Sequence, residues 1–203
     1  THKEAFVDYV TSLEEQLDEA QALGREILIG VTSFFRDPAY FEKLKNKAIM
    51  DIVTRSGEKD AIRCWVAGCS TGEEAYSIAI LFKEMLEVCQ VRRDVKIFAT
   101  DVDARAIETA GRGLYSESLL DDVAPERLSR FFLKKGDQYQ ISKDIRKMII
   151  FAPQNVFQDP PFGKLDLVSC RNVLIYFQPV LQKNLFAIFH AALRDNGYLF
   201  LGK

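Results

Sequence analysis

The chain has 203 residues, a formal net charge of −2, 48% apolar residues and 28% charged residues. This composition is typical of a globular protein with a two-sided hydrophobic core. It provides no positive field that would hold a nucleic acid backbone or an anionic membrane, and no apolar run approaches the ~18 residues of a membrane span. We therefore expect a cytoplasmic protein that neither binds nucleic acid nor inserts into a membrane.

Groups for metal binding and acid–base catalysis are scarce. The only imidazoles are those of His2 and His190, and the four cysteines show no C-x-x-C spacing and lie in apolar segments. Buried, reduced thiols are therefore expected, with no metal site and no Ser-His-Asp triad.

Helical periodicity dominates the first part of the chain. Apolar residues at spacings of three and four predict an amphipathic helix in the first segment, with Phe6, Val10, Leu13, Leu17 and Ala20 on one face. Asp37-Pro38 predicts the start of a second helix with Asp37 as N-cap. The apolar face of that helix comprises Phe41, Leu44, Ala48, Ile49, Ile52 and Val53. Residues 1–58 are expected to form a small N-terminal helical segment.

Short apolar runs alternate with helical patterns from residue 61 onwards. The predicted strands are 62–67, 95–100, 148–151, 165–169 and, after a turn at Asn196-Gly197, 198–201; the predicted helices are 73–88, 104–111 and 179–194. This alternation predicts an α/β fold over residues 59–203, with a mostly parallel sheet and helices on both faces. Runs at 131–133 and 138–141 flank Gly136-Asp137, which predicts an inserted antiparallel β-hairpin subdomain at 129–147.

The segment Gly68-Cys69-Ser70-Thr71-Gly72-Glu73-Glu74 joins the first strand to the following helix. At this point of a parallel sheet the backbone turns tightly and a ligand can approach it closely, so Gly68 is a candidate contact. Glu73 would repel a pyrophosphate on the same N–H groups, and a cation such as the amino group of a methionine moiety fits better. The structural alternative is a capping box, Ser70 with Glu73 or Thr71 with Glu74. We expect one glutamate to cap and the other to bind, with Glu73 favoured for binding.

An acid at the end of the second strand, Asp101, is typical of ribose binding in adenosine-type ligands. The alternative is an N-cap for the next helix, a role that Asp103 could fill equally well. Together with the glycine turn about thirty residues earlier, Asp101 favours a nucleoside ligand.

Two further strands end in polar pairs, Asn155-Val156 after one and Arg171-Asn172 after the other. Asn155 could hydrogen-bond an adenine edge while Val156 packs on the ring. Ordinary strand-ending loops would explain either pair alone, but two asparagines at equivalent strand ends favour binding.

The segment Thr32-Ser33-Phe34-Phe35-Arg36-Asp37-Pro38 lies before the sheet region. In such a sequence the two phenylalanines ordinarily anchor the segment in the core and the arginine carries a surface charge. If the segment folds over the crevice, Arg36 could clamp a carboxylate.

Four motifs in order resemble those of the CheR family, the chemotaxis-receptor glutamate methyltransferases: T-x-F-F-R-D-P, G-x-S-T-G-E-E-x-Y-S-I-A, F-A-T-D-V-D and C-R-N-V-L-I-Y-F. The resemblance runs from about Leu23 to Lys203. It implies a Rossmann-like methyltransferase domain that uses S-adenosylmethionine and releases S-adenosylhomocysteine, a small helical N-terminal domain and an inserted β-subdomain. It also implies cofactor contacts at Thr32, Arg36, Glu73, Asp101, Asn155, Val156, Arg171 and Asn172.

The resemblance further implies that Tyr176 lies near the transferring methyl group, and that Arg36 faces the cofactor's carboxylate or the incoming glutamate. The alternative for Tyr176 is a buried aromatic in an apolar run. The acceptors would be glutamates on the cytoplasmic helices of chemoreceptors. A glutamate, with a pKa of ~4.3, is already ionised at neutral pH, so no general base is needed and the scarcity of histidine is expected.

Three departures from the family pattern limit this reading. Gly30 stands where some members carry Asn, the predicted hairpin is shorter than in members that dock a receptor's C-terminal tether, and the sequence stops at Lys203 before two further strands. We therefore expect one cofactor contact fewer, no tether binding, and a truncated piece. The run Leu-Ile-Gly-Val-Thr-Ser-Phe-Phe-Arg also resembles CheR modules inside larger signalling hybrids, so this chain is expected to come from such a hybrid. Two other functions stay open: a non-catalytic sensor or interaction module that binds the cofactor, and a nicotinamide oxidoreductase, against which Glu73 argues.

Overall fold

The structure is a computed structural model that describes residues 32–55 and 60–202. The predicted first helix, His2 and Gly30 lie outside the described residues. The predicted division into residues 1–58, residues 59–203 and an insertion at 129–147 stays a prediction.

The described helices are α1 (Pro38–Lys43), α2 (Met50–Thr54), α3 (Glu73–Val88), α4 (Ala104–Arg112), α5 (Pro125–Phe131), α6 (Lys143–Arg146) and α7 (Pro179–Ala192). A π-helical segment, Leu44–Ile49, joins α1 to α2, and Glu117–Leu120 and Leu174–Tyr176 are 3₁₀ turns. The strands are β1 (Ile62–Ala67), β2 (Val95–Asp101), β3 (Leu114–Ser116), β4 (Phe132–Lys135), β5 (Gln138–Ile141), β6 (Ile149–Pro153), β7 (Leu165–Cys170) and β8 (Leu193–Leu201). None of the helices within these residues is long and apolar enough to cross a bilayer.

Five parallel strands form the central sheet in the order β6-β2-β1-β7-β8. Side chains alternate between its two faces, as the strand repeat requires: Cys64 and Val66 belong to the core beneath α3, whereas Trp65 belongs to the core beneath α7. All six residues of β7 are buried, which is typical of a strand covered on both faces. The predicted α/β fold with helices on both faces is confirmed.

The helix at Pro38 begins where it was predicted, and its six predicted apolar residues are all buried. The predicted role of Asp37 is wrong in one respect. Asp37 holds the N-cap position with φ 61°, but its side chain makes no capping hydrogen bond. Its carboxylate instead pairs with Arg171, 2.9 Å away.

A second, antiparallel sheet has the order β3-β5-β4. The hairpin β4–β5 confirms the prediction at Gly136-Asp137, although Phe131 belongs to α5 and not to the strand. The third strand, β3, was not predicted because three residues carry no readable periodicity. It pairs with β5 so that Tyr115 lies opposite Tyr139.

The last strand begins earlier than predicted. Leu193 already pairs with Leu165, α7 ends at Ala192, and residues 194–197 form an irregularity before Tyr198 pairs with Leu167. The predicted turn at Asn196-Gly197 lies inside this irregularity, with Asn196 at φ 63°.

Asp166, which is fully buried in β7, links β7 to the strands on either side of it, β1 and β8. Its carboxylate accepts a hydrogen bond of 2.8 Å from the backbone N–H of Arg63 in β1, and it pairs with Arg194 of β8 at 3.2 Å.

Candidate cofactor site

The carboxyl ends of β6, β2, β1 and β7 lie side by side at one edge of the sheet. The paired residues nearest these ends are Asp101–Pro153, Ala67–Thr100 and Val66–Ser169. Because β1 has β2 on one side and β7 on the other, the chain leaves neighbouring strands in opposite directions and opens a crevice there. The predicted binding segments at Gly68, Asp101, Asn155 and Arg171 therefore meet at this edge.

The first half of the glycine turn is held by Thr100 at the end of β2. The carbonyl of Thr100 accepts the N–H groups of Gly68 at 2.8 Å and Cys69 at 3.0 Å, and its hydroxyl accepts the indole N–H of Trp65 at 2.9 Å. Gly68 has φ 74°, and a Cβ there would lie 2.5 Å from Cγ2 of Val173. The strand end thus requires glycine both for its backbone angle and for its close contact.

The second half of the turn overturns both predicted capping boxes. The N-cap of α3 is Gly72, with φ 97°, and no side chain caps the helix. Ser70 has φ 48°, and its N–H donates to Oδ2 of Asp101 at 2.8 Å. The turn therefore uses its residues to bind the end of β2, and neither glutamate is a cap.

Glu73 is buried, with 2% of its surface exposed. The Thr71 hydroxyl lies 2.9 Å from Oε1 and 2.8 Å from Oε2. Burial raises the pKa of Glu73 above its ordinary value, and the Thr71 hydrogen bond opposes that effect. Within the described part of the chain this carboxylate has no cationic partner.

The neighbouring carboxylate is already engaged by the protein. Ser169 donates to Oε1 of Glu74 at 2.6 Å, and Arg171 lies 3.5 Å from Oε2. Burial raises the pKa of Glu74, while Ser169, Arg171 and the charge of Arg36 act in the opposite direction. Of the two glutamates, Glu73 is therefore the one with capacity for a cationic ligand.

Asp101 fastens two loops at the end of β2. Its Oδ2 accepts the N–H of Ser70 at 2.8 Å and its Oδ1 accepts that of Asp103 at 3.0 Å. The N-cap of α4 is Asp103, which accepts from the N–H of Arg105 at 2.9 Å, so the N-cap alternative for Asp101 is wrong. A carboxylate has about four acceptor positions, which leaves Asp101 able to accept further donors.

The loop after β6 is organised by Asn155. Its Oδ1 accepts the N–H of Phe157 at 3.0 Å, and its own N–H donates to Asp159 at 2.7 Å. The preceding Gln154 donates to the carbonyl of Pro160, and its Oε1 is a buried acceptor without a donor among the described residues. Val156 is half-buried against the core beneath α7.

Arg171 is buried by protein contacts, with 1% of its side chain exposed. Its guanidinium pairs with Asp37 at 2.9 Å and Glu74 at 3.5 Å, and it lies over the rings of Phe41 and Phe200, 5.1 and 4.9 Å from their centroids. The guanidinium of Arg171 therefore makes its contacts within the protein. The predicted contact between Arg171 and the cofactor stays a prediction. Asn172 follows, half-buried, at φ 56°.

The segment that begins at Thr32 packs against α3. The N–H of Phe35 donates to the hydroxyl of Ser77 at 3.0 Å, and Phe35 and Asp37 have φ of 51° and 61°. Arg36, between them, is half-buried and close enough to Glu74 to affect its pKa. Arg36 is therefore held near the first turn of α3.

Tyr176 follows β7 in the 3₁₀ turn Leu174–Tyr176 and is 44% exposed. The alternative reading of a buried aromatic is therefore wrong. Its neighbour Ile175 is 63% exposed, so the turn presents apolar and phenolic surface to solvent close to the end of β7.

Three residues that shape this site were not predicted: Ser77, Tyr115 and Ser169. Ser77 and Ser169 bind the backbone and side chains of distant segments. Tyr115 donates to the carbonyl of Thr71 at 2.7 Å. Only Ser77 lies in one of the four motifs.

The side chains at this edge fit S-adenosylmethionine. The Glu73 carboxylate suits its ammonium group and Asp101 suits ribose hydroxyls. The Oε1 of Gln154, which receives no hydrogen bond from the described residues, is a further acceptor for the ligand beside Asn155. Within residues 32–55 and 60–202, no group of three or more His, Cys, Asp or Glu side chains could hold a metal ion.

Comparison with known proteins identifies the family of this chain. Residues 30–203 match the family model of the CheR methyltransferase, SAM binding domain. The chain is 34% identical to the chemotaxis protein methyltransferase of Borreliella burgdorferi, over 97% of this chain and 72% of that protein. It is 33% identical to that of Escherichia coli K12, over 97% and 68%.

A third relative is much longer than this chain. The uncharacterized 104.1 kDa protein in the hypE 3'region of Rhodobacter capsulatus is 46% identical over 97% of this chain, which spans only 21% of that protein. Among solved structures, a DhpI–SAH complex has a TM-score of 0.50 at 14% identity and covers 98% of this chain and 67% of its own, which supports the fold alone. The chain belongs to the CheR methyltransferase family and contains its S-adenosylmethionine-binding domain.

Proposed function

We propose that this chain transfers the methyl group of S-adenosylmethionine to glutamate side-chain carboxylates of chemoreceptors. The receptor helices that carry such acceptors are cytoplasmic, so the proposal includes a cytoplasmic location for this domain.

One observation carries the cofactor site: Glu73 is a buried carboxylate with no cationic partner among the described residues. A buried charge is unfavourable unless it is paired. Its position in the glycine turn, beside the ribose-type acid Asp101, suits the ammonium group of S-adenosylmethionine. Asn155 and Val156 would hold adenine, and Thr32, Gly68, Arg171 and Asn172 would complete the contacts.

The transfer step needs alignment more than acid–base chemistry. Bound S-adenosylmethionine supplies a methyl group activated by the sulfonium, and attack by a glutamate oxygen yields the methyl ester and S-adenosylhomocysteine. We assign Arg36 to binding of a carboxylate, of either the cofactor or the acceptor. The exposed Tyr176 would orient the acceptor at the end of β7. Well-oriented proximity can contribute roughly 7–11 kcal/mol.

The test uses methyl-labelled S-adenosylmethionine and a panel of chemoreceptor cytoplasmic fragments. Label released as methanol on mild base treatment identifies carboxyl methyl esters, because N-methyl groups do not hydrolyse in this way. Base-labile label on a receptor would support both cofactor and acceptor. Label that resists base would refute the carboxylate acceptor.

A second candidate is a cofactor-binding module without catalysis inside a larger signalling protein. It is favoured by the R. capsulatus relative, of which this chain spans 21%. Tyr176→Phe and Arg36→Gln separate the candidates. Methyl transfer that is slowed or lost while S-adenosylhomocysteine still binds supports the enzyme, and binding without methylation of any receptor by the unaltered chain supports the module.

A further inference from the structure

Two buried tyrosines pack against each other next to the glycine turn. Tyr76 lies in the first turn of α3 and Tyr115 in the middle of β3, with ring centroids 6.1 Å apart in an edge-to-face arrangement. Each hydroxyl donates a 2.7 Å hydrogen bond to a backbone carbonyl. Tyr76 binds the carbonyl of Ala110 in α4, whereas Tyr115 binds that of Thr71. Of the two hydroxyls, that of Tyr115 is therefore the one that binds the turn.

Thr71 connects this hydrogen bond to the proposed cofactor ligand. While its carbonyl accepts from Tyr115, its hydroxyl lies 2.8–2.9 Å from the carboxylate oxygens of Glu73. The residues on either side, Ser70 and Gly72, have φ of 48° and 97°. A non-glycine residue at such an angle is strained and keeps it only where surrounding contacts enforce it. The Tyr115 bond is one of the contacts that hold this turn, so its loss would loosen the position of the Thr71 hydroxyl beside Glu73.

The hydroxyl of Tyr115 is itself aimed by the small antiparallel sheet. Tyr115 pairs with Tyr139 of β5. The ring of Phe34 packs edge-on against the ring of Tyr115, with 4.9 Å between the ring centroids. Phe34 also packs against Phe132 of β4 at 5.4 Å. Since Tyr115 is only 2% exposed, its ring has little freedom to turn away from Thr71.

We infer that Tyr115 is a positioning residue for the cofactor: through its hydroxyl the small sheet fixes Thr71 and thereby the carboxylate of Glu73. The inference rests on the proposed role of Glu73 as the ligand of the cofactor's ammonium group. It gives the small antiparallel sheet a part in cofactor binding that needs no contact between that sheet and the ligand.

The test measures S-adenosylhomocysteine affinity by titration calorimetry, so it does not depend on methyl transfer. Tyr115→Phe keeps the ring and removes the hydroxyl, and Tyr76→Phe is its matched control. Tyr115→Phe should weaken binding roughly two- to tenfold, which corresponds to the net free energy of one hydrogen bond. Tyr76→Phe should change the affinity by less than about twofold. Equal effects of the two variants on affinity would overturn the inference, since both lose one hydroxyl-to-carbonyl hydrogen bond of the same length.

A double-mutant cycle shows whether Tyr115 acts through Thr71. Thr71→Val removes the hydroxyl that contacts Glu73, so adding Tyr115→Phe to it should weaken binding little further, whereas Thr71→Ser should keep the full effect of Tyr115→Phe. Independent, multiplying effects in the Thr71→Val background would overturn the positioning role.

Glu73→Gln, measured in the same series, separates this inference from the proposed site. Weaker binding by Glu73→Gln together with unchanged binding by Tyr115→Phe refutes the positioning role alone. Unchanged binding by Glu73→Gln refutes the ligand role of Glu73 and the inference with it.

Discussion

Replacing Gly68 by alanine combines two costs at the centre of the cofactor site. The backbone angle of +74° costs a residue with a Cβ roughly 1–2 kcal/mol. The new Cβ would lie 2.5 Å from Cγ2 of Val173, well inside ordinary carbon contact distance, and such overpacking costs roughly 1–3 kcal/mol. Gly68→Ala should therefore lower the free energy of unfolding by about 2–5 kcal/mol.

The steric cost can be removed while the backbone cost stays. Val173→Ala deletes both methyl groups and leaves Cβ of Val173 3.5 Å from the alanine Cβ. The double variant should be more stable than the sum of the two single changes predicts, by about the 1–3 kcal/mol of overpacking. Urea unfolding of the four proteins, followed by far-UV circular dichroism, gives the required free energies.

Gly136 offers a matched control for the backbone cost. It has φ +64°, and a Cβ there would meet nothing within 4 Å, so Gly136→Ala should cost only about 1–2 kcal/mol. Additivity of Gly68→Ala and Val173→Ala within about 0.5 kcal/mol would refute the close contact. So would equal costs at Gly68 and Gly136.

Three further predictions concern charge and chemistry at the site. Because burial raises the pKa of Glu73, its ionised form destabilises the ligand-free fold at neutral pH, so Glu73→Gln should keep or raise the melting temperature at that pH. The same variant should weaken S-adenosylhomocysteine binding roughly 10- to 150-fold. In calorimetry the wild type should lose affinity as pH falls through the raised pKa of Glu73, and Glu73→Gln should abolish this pH dependence. Arg171→Met removes the ion-pair partner of the half-buried Glu74, so urea unfolding should show a loss of about 3 kcal/mol at pH 7, smaller at acid pH, where Glu74 is protonated. A loss below about 1 kcal/mol would contradict the charge network around Arg171. Tyr176→Phe should slow methyl transfer up to about tenfold while calorimetry shows unchanged S-adenosylhomocysteine affinity, and weaker binding would place this hydroxyl in the cofactor site instead.

Long, periodic elements of this fold could be predicted from the sequence because local pattern and burial agree. The helix from Glu73 to Val88 was predicted with its observed bounds, since the glycine turn marks its start and its inner apolar face is continuous. Asp101 and Asn155 were placed at strand ends, and parallel pairing brings all such ends to one edge. Periodicity and the prediction of a parallel sheet are thus enough to bring these residues to one edge, whereas the strand order that opens the crevice comes from the structure.

The interactions inside the crevice could not be predicted, because they join residues far apart in sequence. Ser70 reads as the first residue of a capping box, yet its N–H binds Asp101 across 31 positions. Arg171 reads as a polar residue at a strand end, yet its guanidinium pairs with Asp37, 134 positions away. Tyr115 lies in a three-residue strand with no periodicity, and only the folded sheet brings it to Thr71.

The hydrogen bond between Trp65 and Thr100 has a spectroscopic consequence. Trp65 is the single tryptophan of the chain and is fully buried, and the residue that its indole binds also holds Gly68 and Cys69 through its carbonyl. The protein therefore carries an intrinsic fluorophore that is connected to the glycine turn through a single residue, Thr100. Rapid-mixing fluorescence could then follow the arrival of a ligand in real time, with no dye attached and no competing indole signal from elsewhere in the sequence.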